Sequence, residues 1–141
     1  MENNMVVTFD SISENEGLAR LIAAGFAAKL NPTLEEMADI KTAVSEAVTN
    51  AIVHGYYNMN GQVIMKLASK DNELYIEVID EGVGIEDIEK AKEPLYTTKP
   101  DEDRTGMGFV FMEIFMDELR VESSIGKGTH VYMKKIINKD L

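Results

Sequence analysis

Cysteine is absent from this 141-residue chain, and only two histidines are present. Disulfides and thiolate ligands are therefore excluded, and a zinc site would have to be built mainly from carboxylates. Any metal chemistry should be oxygen-based. Long apolar runs are missing too. The longest stretch, residues 18–30, is interrupted by Arg20 and Lys29, and the opening Met1-Glu2-Asn3-Asn4 is polar rather than basic. Neither a membrane span nor a secretory signal is expected, which makes a cytoplasmic location the expectation. Positive charge is also scarce. Fourteen Lys and Arg stand against twenty-five Asp and Glu, a net charge of −11. That field repels a phosphate backbone and argues against direct DNA or RNA binding.

What is present fits one domain over residues 1–141, with no repeat, low-complexity tract or linker. A chain of this length buries roughly 65–70% of the surface exposed when unfolded, enough for a packed core without staples. Residues 5–9 alternate as a first strand. Ser13 with Glu16 resembles a capping box opening a helix to about Lys29, and Asn31-Pro32 breaks it. Thr33 and Glu36 repeat the signal for a second helix, whose stripe Leu34, Met37, Val44, Val48, Ala51 and Ile52 continues to Gly55. Runs 62–68 and 74–79 flank Lys70-Asp71-Asn72 and read as a hairpin. A short helical piece follows Glu86. Then Pro94 to Pro100, with clustered threonines, and the acidic Asp101-Glu102-Asp103 predict a mobile covering loop. Gly106-Met107-Gly108 opens a helix carrying Phe109, Met112, Ile114 and Phe115, and strands 118–123 and 129–136 close the chain. This order implies a mostly antiparallel sheet with helices on one face.

Glu46, Asn50 and His54 are spaced four apart, so on a helix they form one polar stripe turned away from Val44, Val48 and Ala51. Such a stripe either lies in solvent, with His54 finishing the helix before Gly55, or lines a pocket. In a pocket, the Asn50 amide oxygen can ligate magnesium without adding charge, and Glu46 can orient or deprotonate a hydroxyl. Asp80-Glu81-Gly82-Val83-Gly84 follows a strand. It is either a glycine-rich turn with a capping aspartate or a turn whose glycines let a flat ring approach. A carboxylate accepts hydrogen bonds but cannot donate, so Asp80 suits the exocyclic amine of adenine and disfavours the carbonyl of guanine. A dinucleotide-binding reading is weaker, because the third glycine is missing. Arg104-Thr105-Gly106-Met107-Gly108 enters a helix, where amides and the positive helix end can meet phosphate oxygens, with Arg104 as a countercharge. The plainer alternative is a helix start packing small residues against the sheet. Gly126-Lys127-Gly128-Thr129 lacks Walker spacing and reads as a hairpin turn, with Thr129 able to face a base. Against a net charge of −11, a triphosphate would need a divalent cation and local amide donors.

In order along the chain, Glu46-x-x-x-Asn50, Asp80-x-Gly82-x-Gly84 and Gly106-x-Gly108 resemble the N box and glycine boxes of the Bergerat (GHKL) ATP-binding fold. More narrowly, Asn15-Glu16 with Ala19-Arg20, the run from Ser45 to Gly55, Pro94-Leu95-Tyr96-Thr97-Thr98-Lys99-Pro100 and Arg104-Thr105-Gly106-Met107-Gly108-Phe109 resemble the sporulation anti-sigma F factor family. The likeness covers nearly the whole chain. It implies an α+β two-layer sandwich, a mixed but mostly antiparallel sheet with helices on one face, and an ATP lid at about residues 93–106. It implies ATP and Mg2+ as ligands, Glu46 and Arg104 as catalytic groups, and Asn50 as the magnesium ligand. Asp80 would read adenine, while Gly82, Gly84, Thr98, Thr105, Gly106, Gly108 and Thr129 would contribute to the ATP site. Arg20 would touch both protein partners. Those partners are similar to a sporulation sigma factor, held from RNA polymerase by an ATP-bound homodimer, and an anti-anti-sigma factor that is phosphorylated on serine. Tyr96 for phenylalanine, Thr105 for serine and His130 for a second threonine after Gly128 depart from the family pattern. A general-stress anti-sigma kinase and a nucleotide-gated binding module without catalysis remain alternatives. A histidine kinase fragment is disfavoured, because fewer than ten residues precede the first strand.

Overall fold

The computed structural model describes residues 2–57, 59–93 and 107–139. Strand β1 (Glu2–Asp10) leads to α1 (Glu14–Ala28) and α2 (Leu34–Thr49), which runs on into a π-helical turn (Asn50–Gly55). Strands β2 (Gln62–Lys70) and β3 (Glu73–Asp80) follow, then α3 (Ile88–Ala91), α4 (Gly108–Phe115), β4 (Glu118–Ser124) and β5 (Gly128–Ile136). The five strands form one sheet in the order β1-β2-β3-β5-β4, and all four pairings are antiparallel. The α+β class and the helix-covered sheet therefore hold, with no parallel pair among these strands.

Alternation assigns the two faces. Val7, Met65, Val78, Val131 and Val121 lie opposite one another in a single row across the five strands. Of these, Met65, Val78 and Val131 are buried. One step further along the same face, the row reads Asp80, Thr129 and Ser123. The apolar floor thus turns polar at one end of β3 and β5. Helices α1 and α2 cover the apolar part with small side chains, Ala19, Ala23 and Ala27 on one and Ala43 and Ala47 on the other, all buried. Small residues let the helices approach, and Phe26, Ile40, Val44 and Val48 fill the space between them and the sheet. Each large apolar side chain buried this way contributes about 1.5–3 kcal/mol. The opposite face is charged. Lys66 stands across from Glu77, and Lys134 Nζ lies 3.2 Å from Glu73.

The two capping signals have different outcomes. Thr33 is extended (φ −67°, ψ 165°). Its Oγ1 accepts from the Glu36 amide at 3.0 Å, while Glu36 Oε1 accepts from the Thr33 amide at 2.9 Å. Ser13, at φ −59° and ψ −29°, is already helical, and its side chain makes no capping bond. Glu16 turns instead to Arg20 and Ser45. Leu34, predicted to belong to the buried stripe, is 92% exposed, because it opens α2 where the helix has not yet reached the sheet. The expected covering loop lies outside the described residues.

Candidate functional site

A cavity of about 310 Å³ opens where the polar row meets the end of α2. Glu46, Asn50 and His54 line it from one side, and Asp80 and Thr129 from the sheet. Gly84 and Gly108 also line it, and Val83, Ile85, Ala91, Phe109 and Ile125 supply apolar walls. The sequence spacing therefore brings together six candidates: Glu46, Asn50, Asp80, Gly84, Gly108 and Thr129. Gly82 is not in that lining. Arg20 lies apart on α1, where its Nη1 is 3.0 Å from Glu16 Oε2 and 3.2 Å from Ser45 Oγ. Thr98, Arg104, Thr105 and Gly106 lie outside the described residues, as do Tyr96 and the rest of the expected lid beyond Glu93.

The sequence predicts an α-helix through to Gly55, but its last turn is π-helical, with the Tyr56 amide bonded to Ala51 O at 3.0 Å. Widening the turn by one residue brings Gly55 against Asp80. A Cβ at Gly55 would stand 2.8 Å from Asp80 Cγ, so any side chain there would have to displace the carboxylate. Gly82 is likewise packed on Gly55, where a Cβ would fall 2.0 Å from the Gly55 carbonyl oxygen. The close approach made possible at Gly82 is thus between two stretches of backbone. Gly84, at φ +80°, sits over the Ser124 carbonyl, which a Cβ would reach at 2.1 Å. The Gly126 amide donates to Val83 O at 2.8 Å, holding the β4–β5 turn against this loop.

Asp80 is buried, 5% exposed. Burial pushes its carboxyl up to about 6, while the amides of Gly82 and Thr129 pull in the other direction. It accepts from Gly82 N at 2.9 Å and so presents a hydrogen-bond acceptor at the edge of an apolar-walled cavity. Ser123 supports this end. Its Oγ accepts from Ile85 N at 2.7 Å, donates to Gly128 O at 2.9 Å and lies 2.9 Å from Thr129 Oγ1. At the other end, Glu46 lies beside the first residue of α4, since a Cβ on Gly108 would be 3.2 Å from Glu46 Oε2. The carboxylate therefore meets the positive end of a helix. Among the described residues no cluster of three His, Cys, Asp or Glu could hold a metal ion. No described helix is long and apolar enough to cross a membrane.

His130, one of the departures from the family pattern, points to the far face of the sheet. Its Nε2 is 2.8 Å from Glu77 Oε1, and its ring stacks on Tyr132 at 3.8 Å. Sequence reading missed Gly55 as a pocket residue, taking it only as a helix end. It also missed the walls Val83, Ile85 and Ile125. Ile125 left a signal, since an isoleucine 65% exposed in a glycine-rich turn has little local reason to be apolar.

Residues 11–135 match a family model described as a histidine kinase-like ATPase domain. A Clostridium acetobutylicum protein named anti-sigma F factor is 59% identical over 135 residues, covering 96% of this chain and 94% of its own. Its namesakes from Thermoanaerobacter pseudethanolicus and Geobacillus stearothermophilus are 59% and 55% identical, over 98% and 96% of this chain and 96% and 93% of their own. A solved structure of the RsbU and RsbW domains of a Mycobacterium tuberculosis protein superposes with a TM-score of 0.67 at 20% identity. It matches 96% of this chain, which spans 32% of that longer one, and shows the shared fold. With this cavity lying inside the matched domain, the chain belongs to the anti-sigma F factor family of histidine kinase-like ATPase domains.

Proposed function

We propose that this ATP-using enzyme is a serine/threonine-protein kinase and anti-sigma factor. In its ATP form it binds a sporulation sigma factor of the F type, and it phosphorylates a serine of an anti-anti-sigma factor. The observation that carries the reading is the convergence of Glu46, Asn50 and Asp80 on one cavity with Gly84 and Gly108. Asp80 accepts a hydrogen bond from the adenine amine, and the apolar walls take the flat ring. Asn50 offers a neutral amide oxygen to magnesium. Among the described residues no three carboxylates or imidazoles are grouped closely enough to hold a metal, which fits a cation that takes most of its ligands from phosphate and water. Bound there, magnesium would offset the charge on the phosphates. Glu46 takes the proton of the incoming serine hydroxyl as its oxygen bonds to the γ-phosphorus and the bond to the bridging oxygen of ADP breaks. Support for the partner surface comes from α1, which carries Arg20, its side chain 40% exposed, and the exposed Leu18 and Leu21. Action as a homodimer in the cytoplasm belongs to the same reading.

The test is phosphate transfer from labelled ATP to the anti-anti-sigma factor. Glu46→Gln should lower the rate at least about 100-fold while ATP still binds. Transfer at the original rate would remove Glu46 as base. Absence of any transfer by the unaltered chain would leave a nucleotide-gated binding module.

A further inference from the structure

The turn that carries Asp80 into the cavity is held through three successive backbone amides. Each has its own acceptor. Glu81 N donates to the Tyr56 hydroxyl at 2.7 Å, Gly82 N to Asp80 Oδ1 at 2.9 Å and Val83 N to Gly55 O at 2.9 Å. Two of these acceptors are a backbone carbonyl and the aspartate itself. The first is a side chain from another element, and it is fixed from both ends. The same Tyr56 hydroxyl donates to Gln62 O at 2.7 Å, at the start of β2. Its ring fills the space over Gly61, where a Cβ would approach ring carbons to 2.5 Å. Burial, reinforced by the charges of Asp80 and Glu81 though opposed by the Glu81 amide, raises the pKa of this phenol. It stays protonated at neutral pH and keeps its proton for Gln62.

We infer that Tyr56 is a positioning residue for nucleotide recognition: its hydroxyl ties the amide after Asp80 to β2 and so fixes where the Asp80 carboxylate stands in the cavity. The inference rests on the reading of Asp80 as the acceptor for the adenine amine. Without the hydroxyl, Glu81 N loses its acceptor, and the turn that holds Gly82 N on Asp80 loosens. The carboxylate then no longer meets the base at one fixed place. Tyr56 does not line the cavity, so its effect reaches a nucleotide only through Asp80.

The experiment measures Mg·ATP and Mg·GTP affinity by calorimetry for the full chain and for Tyr56→Phe, Asp80→Asn and the double variant. Tyr56→Phe keeps the ring on Gly61, and it should weaken ATP about threefold to tenfold. GTP, which cannot donate to Asp80 in the same way, should change less, so the preference for ATP falls. In the Asp80→Asn background the same substitution should change ATP affinity by less than about twofold, the mark of a residue acting through another. Wild-type ATP affinity in Tyr56→Phe, equal losses for ATP and GTP, or losses that multiply in the double variant would each overturn the inference and leave the Asp80 reading intact. Wild-type affinity in Asp80→Asn would sink both. If Tyr56→Phe does not fold, Gly61→Ala displaces the ring with the tyrosine retained, and the same outcomes apply to it.

Discussion

The two ends of α2 are built by opposite rules. At its start, Thr33 and Glu36 satisfy each other's amides, and Glu36 Oε2 also accepts from Asn138 N at 2.8 Å. This end is a closed arrangement of local hydrogen bonds that ties the C-terminal segment to the helix. Its far end abandons the α-helical ladder for a π turn and sets a bare glycine against a buried carboxylate. The capped end contributes stability and does not line this cavity. The open end holds a desolvated charge, which costs stability and gives the cavity its acceptor. One helix thus separates the two tasks by some twenty residues of sequence.

The sharpest way to break that contrast is Gly82→Ala. Its Cβ would lie 2.0 Å from the Gly55 carbonyl oxygen, and backbone cannot swing aside as a flexible side chain would. ATP affinity should fall by more than about 100-fold and stability by about 3 kcal/mol, read by calorimetry and thermal melting. Asp80→Asn should divide the effects. ATP affinity at pH 7.5 should drop about tenfold to a hundredfold, while the nucleotide-free protein becomes more stable.

The sign of that gain follows from linkage. The folded pKa of Asp80, about 6, lies above an unfolded value near 3.9. Protonation therefore favours the fold. That contribution is complete below about pH 4 and is lost as pH rises through about 6. Removing the charge should thus stabilise the apo protein by about 2–3 kcal/mol above pH 7 and by little at pH 4, seen as melting curves that converge on acidification. At the capped end, Thr33→Ala should cost about 1 kcal/mol of stability and leave ATP affinity within about twofold. The smallest effect belongs to Ser13→Ala, below about 0.5 kcal/mol in chemical denaturation, because Ser13 makes no capping bond.

Those last two variants also mark where the sequence could be read and where it could not. Thr33-x-x-Glu36 and Ser13-x-x-Glu16 are the same pattern in text, yet a cap needs an extended residue at its first position. The break at Asn31-Pro32 leads into an extended Thr33, whereas Ser13 follows the turn after β1 already in helical conformation. Strands were legible because Leu74, Ile76 and Val78 alternate with Tyr75, Glu77 and Ile79 along β3, and that period assigns faces directly. Glu46 and Asn50 were legible because spacing by four survives on a helix. Val83, Ile85 and Ile125 were not, since loop side chains follow no period and their direction is set by contacts such as Gly126 N to Val83 O. The π turn is not legible in the sequence for a related reason. It shifts the ladder by one residue, and Gly55 is as suited to ending an α-helix as to the close approach it makes.

The amides of residues 81–83 are all engaged inside the protein, and this gives the cavity a direction. An anion arriving beside those three amides would find them taken and a buried carboxylate next to them. A ligand with one flat neutral end and one charged end would therefore meet less opposition with its neutral end toward Asp80.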